Sequence, residues 1–190
     1  MATISHETTY IRGIQIRTGE FGKRLFDIVI SAMGLMILSP AFAVVALYIK
    51  RTSPGPVFYR GPRVGRGGKI FDILKFSTMR DCPESEDSPR ITARDDPRIT
   101  PGGRWLRDTK LNEFPQLWNV LKGEMSLVGP RPEEMRIAAL YSAWHRQRLA
   151  VKPGITGPMQ TYGRGTLSLD ERVRLELAYI EDYHEDTYVN

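Results

Sequence analysis

Residues 28 to 49, IVISAMGLMILSPAFAVVALYI, contain no charged side chain and decide the fold. As an α-helix they would extend about 33 Å, close to the thickness of the hydrocarbon core of a bilayer. The stretch is longer than the apolar region of a signal peptide, and no convincing small-residue cleavage site follows it. A buried helix in a soluble core is the competing interpretation, but such a long apolar stretch is unusual inside a small domain. The sequence therefore favours insertion into a membrane.

Basic residues flank both ends of this stretch. Lys23 and Arg24 precede it, and Lys50 and Arg51 follow it. Because basic flanks favour the cytosolic side of a membrane, the pattern places both ends on that side. A straight crossing would separate the two ends, so the charges favour a segment that enters the bilayer and returns.

Ser39 and Pro40 lie near the middle of the apolar stretch. A proline removes one helical N–H and clashes with the preceding turn, and the Ser39 hydroxyl can bond a carbonyl freed by that change. We therefore predict a re-entrant membrane helix over residues 21 to 52, broken at Ser39 and Pro40. A proline-kinked helix that crosses the membrane is the alternative.

The composition describes one modest domain with local membrane character. The chain has 190 residues, of which 41% are apolar and 26% are charged, as in ordinary globular proteins. A net charge of +5 favours an anionic partner, such as nucleic acid, acidic lipid headgroups or a phosphorylated substrate. The single cysteine, Cys82, excludes an internal disulfide and fits a reducing, cytosolic compartment.

Two β-strands are predicted after the membrane segment, at about residues 56 to 60 and 69 to 77. A Gly-rich basic connection joins them, which indicates a hairpin. Alternation places Phe71, Ile73 and Lys75 on one face, so that Lys75 extends an apolar face with a cation. Lys75 either points into a site or protects the edge of the sheet.

Several familiar catalytic motifs are absent from the sequence. The segment GPRVGRGGK lacks the first glycine and the final Ser or Thr of a phosphate-binding P-loop, because Arg63 and Ile70 occupy those positions. GEMSLVG does not match the G-x-S-x-G motif of hydrolases, and the histidines are scattered at His6, His145 and His184. Hydrolase and zinc-enzyme interpretations are therefore excluded.

The segment NEFPQLWNVLKG, residues 112 to 123, is predicted to be a helix with Asn112 as its N-cap and Gly123 at its end. This places the Glu113 carboxylate at a helix N-terminus. Arginines surround it in the sequence, at Arg98, Arg104, Arg107 and Arg131. Guanidinium groups and a helix N-terminus suit phosphate, and a carboxylate among them could hold Mg²⁺ or attack phosphorus. Simple salt bridges are the alternative interpretation.

A series of ordered motifs resembles one known family. The motifs are KRLFDIVIS, LSP, GPVFYR, ILKFSTMR, DPRIT, NEFPQLWNVLKGEMSLVGPRPE and VKPGITG. Over about residues 21 to 182 they resemble the bacterial sugar transferase family, the monotopic polyprenyl-phosphate phosphoglycosyl transferases. Many motifs in the same order make this resemblance far more specific than any one motif alone.

The resemblance implies a helix-rich α/β (α+β-like) fold with a small β-hairpin or sheet. A re-entrant helix would be followed by a cytosolic, membrane-associated catalytic domain over residues 53 to 190, with interfacial amphipathic helices on the same leaflet. Residues 1 to 20 would form an N-terminal extension. Residues 133 to 150, EEMRIAALYSAWHRQRLA, are predicted to form one basic helix, either on the membrane or covering the core.

The implied reaction moves a sugar 1-phosphate from a UDP-sugar to a polyprenol phosphate, with Mg²⁺ as cofactor and UMP as product. This would be the first membrane step of a bacterial glycoconjugate pathway, such as one making exopolysaccharide or lipopolysaccharide. The protein would lie on the cytoplasmic face of the inner membrane. A homodimer is one possible assembly. The alternative from another class is a membrane-associated basic protein that binds nucleic acid or acts as a scaffold.

The resemblance also assigns site residues, with one departure. Family members carry an Asp-Glu pair in which Asp is thought to be the nucleophile, whereas this chain has Asn112 and Glu113. An amide lacks the anionic oxygen needed for ready attack on phosphorus. Three alternatives follow: Glu113 attacks, the roles are altered in an Asn-containing subgroup, or activity is weakened or abolished. Glu113 and Asn112 are also the predicted Mg²⁺ ligands.

Further residues follow from the same motifs. Lys75 matches the family lysine in the second strand, while Ser77 replaces an arginine often found there. The resemblance assigns phosphate or substrate binding to the following residues: Arg98, Arg107, Arg131, Gln160 and Arg164. Glu176 lies where the family commonly has Asp and is either an acid behind the site or a surface carboxylate.

Overall fold

A computed structural model describes residues 18–80, 96–162 and 167–185. Within these ranges the chain is helix-rich with two small sheets, as the sequence predicts. The first helix, α1, covers Thr18–Thr52. It begins at Thr18, so residues 18 to 20 belong to the helix and not to the predicted extension. It ends at Thr52.

Helix α1 contains Pro40 without being divided into two helices. The Pro40 ring provides no N–H for the carbonyl of Met36, four residues earlier, and the Ser39 hydroxyl donates a 2.8 Å hydrogen bond to that carbonyl. The predicted serine bond is therefore confirmed. The structure has one continuous helix where the sequence predicts helix, break and helix, and the re-entrant course stays a prediction.

Most of α1 presents apolar side chains to the surroundings. By length and composition, Glu20–Thr52 could cross a membrane, and 6% of its most apolar window is buried. A helix in a soluble core would be mostly buried, so this exposure argues against the soluble interpretation. The large exposed apolar side chains include Phe21, Leu25, Phe26, Met33, Met36, Ile37, Val44 and Leu47.

A β-hairpin follows α1. Strand β1 (Phe58–Val64) pairs antiparallel with β2 (Ile70–Phe76), and a 3-10 turn at Arg66–Gly68 joins them. The hairpin is confirmed, but β1 extends over residues that the sequence analysis assigned to the connection. Proline is tolerated inside β1, at Pro62, because β1 is an edge strand of this two-stranded sheet.

Helix α2 (Pro101–Asp108) and a 3-10 helix (Leu111–Gln116) lead into α3 (Leu117–Lys122). The predicted cap at Asn112 is wrong, because the residue before the 3-10 helix is Lys110, in the left-handed conformation with φ of 61°. Asn112 therefore lies inside the first turn. Gly123 ends α3 with φ of 89°, as predicted.

The remainder of the chain forms short elements and one long helix. In chain order these are β3 (Ser126–Val128), α4 (Met135–Ala138), α5 (Ala143–Arg146), a 3-10 helix (Gln147–Ala150), β4 (Gly154–Thr156), α6 (Pro158–Tyr162) and α7 (Leu169–Glu185). Strands β3 and β4 are parallel. The single helix predicted over residues 133 to 150 is wrong, since Ser142 forms a capping box with His145 and starts a new helix.

Two apolar clusters hold these elements together. One contains Phe71 and Ile73 of β2 with Val120 of α3 and Met125, which follows α3. The alternation predicted for β2 is confirmed, since Phe71 and Ile73 are both buried. The second cluster joins α1 to the body through Ile49, which packs with Phe76 and Leu106. Together, the two clusters hold β2 against α3, and the end of α1 against the end of β2 and α2.

Candidate active site

Glu113 lies between two cations from different parts of the chain. Its Oε1 atom is 2.9 Å from the Nζ atom of Lys75 at the end of β2, and 3.6 Å from a guanidinium nitrogen of Arg131, which follows β3. The 3-10 helix packs against β2, which explains why residues so distant in sequence meet. The predicted association of Lys75, Glu113 and Arg131 is therefore present in the structure.

The surroundings of Glu113 favour its ionised form. Burial opposes ionisation, but the charges of Lys75 and Arg131 outweigh it and hold the pKa of Glu113 below its usual value of 4.5. Burial also lowers the pKa of Lys75, and the nearby charges of Arg131 and Arg63 add to this effect while Glu113 opposes it. At neutral pH the carboxylate is charged within a predominantly cationic cluster.

The two oxygens of Glu113 differ in their contacts. Both Lys75 and Arg131 approach Oε1. Among the described residues, the hydrogen bond from Lys75 and the ion-pair distances to Lys75 and Arg131 all involve Oε1. Oε2 is therefore the oxygen that we consider for contact with a substrate or a metal ion.

Asn112 provides a second oxygen beside this carboxylate in the sequence. Asn112 is buried, and its Oδ1 atom has no hydrogen-bond partner within the described part of the chain. A buried carbonyl oxygen without a donor is costly unless a ligand satisfies it, and amide and carboxylate oxygens are both acceptable to Mg²⁺. The donor set therefore fits Mg²⁺ chemically. The described residues contain no group of three His, Cys, Asp or Glu side chains that could form a metal centre without substrate oxygens.

Two of the predicted phosphate-binding arginines, Arg98 and Arg107, follow β2 in the sequence. The Arg107 guanidinium donates to the Thr78 hydroxyl at 3.3 Å, and the charges of both Asp96 and Glu113 act on it. Arg98 instead forms a two-pronged pair with Asp96, at 2.9 and 2.6 Å, which lowers the pKa of Asp96 to about 2. Arg107 is thus associated with Glu113 electrostatically, and the charge of Arg98 is balanced by a carboxylate that the sequence analysis did not consider.

The remaining predicted substrate residues have different outcomes. Gln160, on α6, donates to the Ile155 carbonyl at 3.4 Å, and its own Oε1 is buried without a partner among the described residues. No contact between Gln160 and the Glu113 cluster is found in that part of the chain. Arg164 lies outside the described residues. Substrate binding by Gln160, Arg98 and Arg164 stays a prediction.

Glu176 is not a surface carboxylate. It is fully buried on α7, where burial raises its pKa, and it pairs with the buried Arg148 at 2.7 Å. The sequence analysis left Glu176 undecided and did not single out Arg148. No local pattern identifies the pair, because its members are far apart in sequence and both residue types are usually exposed.

Arg63 and Thr78 were also missed. Arg63 belongs to β1, pairs with Glu134 at 3.2 Å and acts electrostatically on Lys75. It was assigned to a loop because the sequence analysis ended β1 too early. If the strand had been extended to Val64, Arg63 would have been placed opposite Phe71. Because Phe71 and Lys75 lie on the same face of β2, Arg63 would then share the face of Lys75.

Comparison with known proteins agrees with this geometry. The profile of the family described as bacterial sugar transferase matches residues 18–187. The exopolysaccharide production protein ExoY of Sinorhizobium fredii is 37% identical over 194 residues, which cover 95% of this chain and 84% of ExoY.

Two further relatives are longer proteins. The undecaprenyl-phosphate glucose phosphotransferase of Komagataeibacter xylinus is 44% identical over 83% of this chain and 32% of its own length. The UDP-glucose:undecaprenyl-phosphate glucose-1-phosphate transferase of Escherichia coli is 40% identical over 85% of this chain and 36% of its own length. The chain thus spans about a third of these two relatives. Because the family profile extends over nearly all of its sequence, the chain belongs to the bacterial sugar transferase family.

Proposed function

We propose that this chain is a phosphoglycosyl transferase, which moves a sugar 1-phosphate from a UDP-sugar to a polyprenol phosphate. The observation that carries the proposal is the Glu113 carboxylate held by Lys75 and Arg131 at 2.9 and 3.6 Å. A substrate diphosphate needs cations, and transfer through the protein needs a nucleophile. The cluster supplies both. The printed names of the relatives from Komagataeibacter xylinus and Escherichia coli, which specify undecaprenyl phosphate, support the same acceptor class.

In the proposed first step, the Oε2 atom of Glu113 attacks the phosphorus that carries the sugar. A bond forms between Oε2 and this phosphorus, and the bond to the bridging oxygen breaks, so that UMP leaves with the electron pair. In the second step, an oxygen of polyprenol phosphate attacks the same phosphorus and releases the Glu113 carboxylate. The products are polyprenyl-diphospho-sugar and UMP, and Glu113 is regenerated.

The neighbouring cations have separate tasks in this scheme. Lys75 and Arg131 hold Oε1 and orient the carboxylate, while their charges stabilise the negative charge that develops on the phosphoryl oxygens. The charges of Arg107 and Glu113 act on each other, and we assign Arg107 to binding the departing phosphate. Asn112 cannot attack as an anion, so we assign the role of nucleophile to Glu113.

We also propose Mg²⁺ as the cofactor, with Glu113 and the Oδ1 atom of Asn112 as its protein ligands. When bound, Mg²⁺ would neutralise negative charge on the substrate diphosphate. The support is chemical: the Oδ1 atom is buried without a donor, next in sequence to the carboxylate. Asn112 thus keeps a metal-binding oxygen although it lacks the charge of an aspartate.

The proposed location is the cytoplasmic face of the bacterial inner membrane, with α1 entering one leaflet and returning. The exposed apolar surface of α1 supports membrane association. The basic residues at both ends support a cytosolic position for each end. The ExoY name supports a role in exopolysaccharide production, and we propose that this role is the first membrane step of such a pathway.

The function is tested by following UMP release and the covalent adduct separately. Purified protein is incubated with Mg²⁺ and UDP-glucose or UDP-galactose, with and without undecaprenyl phosphate. We expect sustained UMP release when the acceptor is present. Without the acceptor we expect release limited to one equivalent, with a hexose phosphate on Glu113 in the peptide mass spectrum.

Glu113→Gln should abolish both signals, since the amide cannot attack phosphorus. Glu181→Gln is the matched control, because Glu181 is an exposed carboxylate on α7. An adduct on another carboxylate, or UMP release by Glu113→Gln at the wild-type rate, would contradict the assignment of Glu113. Absence of UMP release with every UDP-sugar would contradict the function itself.

A further inference from the structure

The backbone of Arg131 is held on both sides by one buried ion pair. The Arg131 N–H donates to the Oε1 atom of Glu176 at 3.0 Å. The Arg131 carbonyl accepts from a guanidinium nitrogen of Arg148 at 2.8 Å. The same Arg148 nitrogen also donates to the Oε1 atom of Glu176 at 2.8 Å. The donor and the acceptor of a single residue are thereby fixed by two side chains that contact each other.

The ion pair itself is held firmly in the interior. Glu176 is 0% exposed and Arg148 is 3% exposed. Arg148 also donates to the Tyr141 hydroxyl, and a second carboxylate, Glu133, lies 3.8 Å from it. The pair links α7 to the 3-10 helix that precedes β4, and both then contact the loop after β3. A displacement of any of these elements would be transmitted to Arg131.

A purely structural role would not require these charges. Removing two charges from water is unfavourable, and apolar side chains of similar size can often replace a buried ion pair without loss of stability. Apolar side chains, however, could not bond both the N–H and the carbonyl of Arg131. The pair provides the directional contacts that fix this peptide.

The sequence around Arg131 makes such fixing effective. Pro130 and Pro132 flank it, and proline restricts both its own backbone and that of the preceding residue. With the backbone fixed, the remaining freedom is in the Arg131 side chain, whose guanidinium lies 3.6 Å from Glu113. Active sites are sensitive to such placement, because a displacement of about 1 Å can lower a rate by about 100-fold.

We propose that Glu176 and Arg148 are positioning residues that hold Arg131 against Glu113 for sugar-phosphate transfer. This inference rests on the proposed function of Glu113, and it adds two residues that touch neither the carboxylate nor the substrate phosphates. Arg131 is the residue through which they act.

A double-mutant cycle tests whether Glu176 acts through Arg131. The variants are Glu176→Gln, Arg131→Gln and the combination of both, each measured for kcat and KM of UMP release and for the dissociation constant of UMP. Glu176→Gln should lower kcat/KM by about tenfold or more. In the Arg131→Gln background the same change should have almost no further effect.

Arg148→Lys provides a second route to the same conclusion. It keeps the buried cation but removes the planar fork that contacts both Glu176 and the Arg131 carbonyl, so it should also lower kcat/KM. Glu181→Gln is the control, because Glu181 is an exposed carboxylate on α7, the helix that carries Glu176. We expect this control to retain wild-type kcat/KM.

The outcomes separate the two proposals. Equal effects of Glu176→Gln in the presence and absence of Arg131, at an unchanged melting temperature, would overturn the positioning role. An unchanged kcat/KM in both Glu176→Gln and Arg148→Lys would also overturn it. If the wild-type protein released no UMP, the proposed function would fail, while the cycle in UMP affinity would still decide whether Glu176 acts through Arg131.

Discussion

The pair formed by Lys75 and Glu113 combines partial burial with opposite charge. The Lys75 and Glu113 side chains are 18% and 16% exposed. Because the pKa of Glu113 is lower in the folded chain than in the unfolded one, its ionised state stabilises the fold above the unfolded pKa. That stabilisation is lost as the pH falls through the folded pKa. For Lys75, burial lowers the pKa, so its proton is easier to remove at high pH.

Replacement of Lys75 by methionine should change the pH dependence of UMP release in a defined direction. The variant keeps the length of the side chain but removes the strongest charge that favours ionised Glu113. Burial would then raise the pKa of Glu113, so the acidic limb of the kcat/KM profile should move to higher pH. The measurement is UMP release between pH 4 and pH 9, in buffers of constant ionic strength.

The matched control for this shift is Lys122→Met. Lys122 is exposed and pairs with Glu124, so its loss removes a similar charge from a different place. We expect its acidic limb to coincide with that of the wild type. A Lys75→Met profile with the wild-type acidic limb and reduced amplitude would show that Lys75 does not control the ionisation of Glu113.

Helix α1 is attached to the catalytic body by polar contacts in its first turns. The Arg24 guanidinium donates to the carbonyls of Val120 at 2.6 Å and Leu121 at 2.8 Å, near the end of α3. The Asp27 carboxylate accepts the N–H of Leu127 in β3 at 3.1 Å. These contacts tie the predicted membrane helix to the two elements on either side of Gly123.

Arg24→Met should loosen this attachment. The variant keeps much of the aliphatic volume but leaves the two α3 carbonyls without their charged donor, at a cost of about 2 kcal/mol. The melting temperature in detergent should fall by about 4–8 °C. Arg51→Met is the control, since Arg51 is an exposed residue in the last turn of the same helix. Equal melting temperatures for both variants would contradict the attachment.

Local rules were sufficient for the elements that build the centre of the site. Strand alternation placed Lys75 beside buried Phe71 and Ile73, and the helix-start pattern placed Glu113 in a first turn. Those rules depend on neighbouring residues in the sequence. The same rules made Asn112 the N-cap, but it lies inside the first turn. The reason is that the 3-10 helix starts earlier, after Lys110 in the left-handed conformation.

The same rules could not find contacts that depend on tertiary packing. Glu176 meets Arg131 only because α7 returns to the loop after β3. Arg148 lies in a 3-10 turn that the sequence analysis merged into one long helix, where it appeared to be one of several basic surface residues. Neither residue type nor spacing distinguishes a buried ion pair from solvated charges.

For the whole molecule, the informative feature is that α1 contacts one body through both of its ends. Arg24, near the start, bonds to the end of α3, and Ile49, near the end, packs with Phe76 and Leu106. A straight α-helix would carry these two residues about 38 Å apart, more than the thickness of a hydrocarbon core. A crossing helix would therefore place part of the catalytic body on each side, so these two contacts favour the re-entrant course that we propose.

The topology is tested by labelling single cysteines at the two ends of α1. Cys82, the single natural cysteine, is first replaced by serine. Gly22→Cys is suitable because nothing lies within 4 Å of an added Cβ, and Thr52→Cys marks the other, exposed end. A membrane-impermeant maleimide should label both positions in inside-out vesicles and neither in intact spheroplasts, since the basic flanks keep both ends on the cytoplasmic side. Labelling of one position in each preparation would establish a crossing, and Ser39 and Pro40 would then mark a kink in a spanning helix.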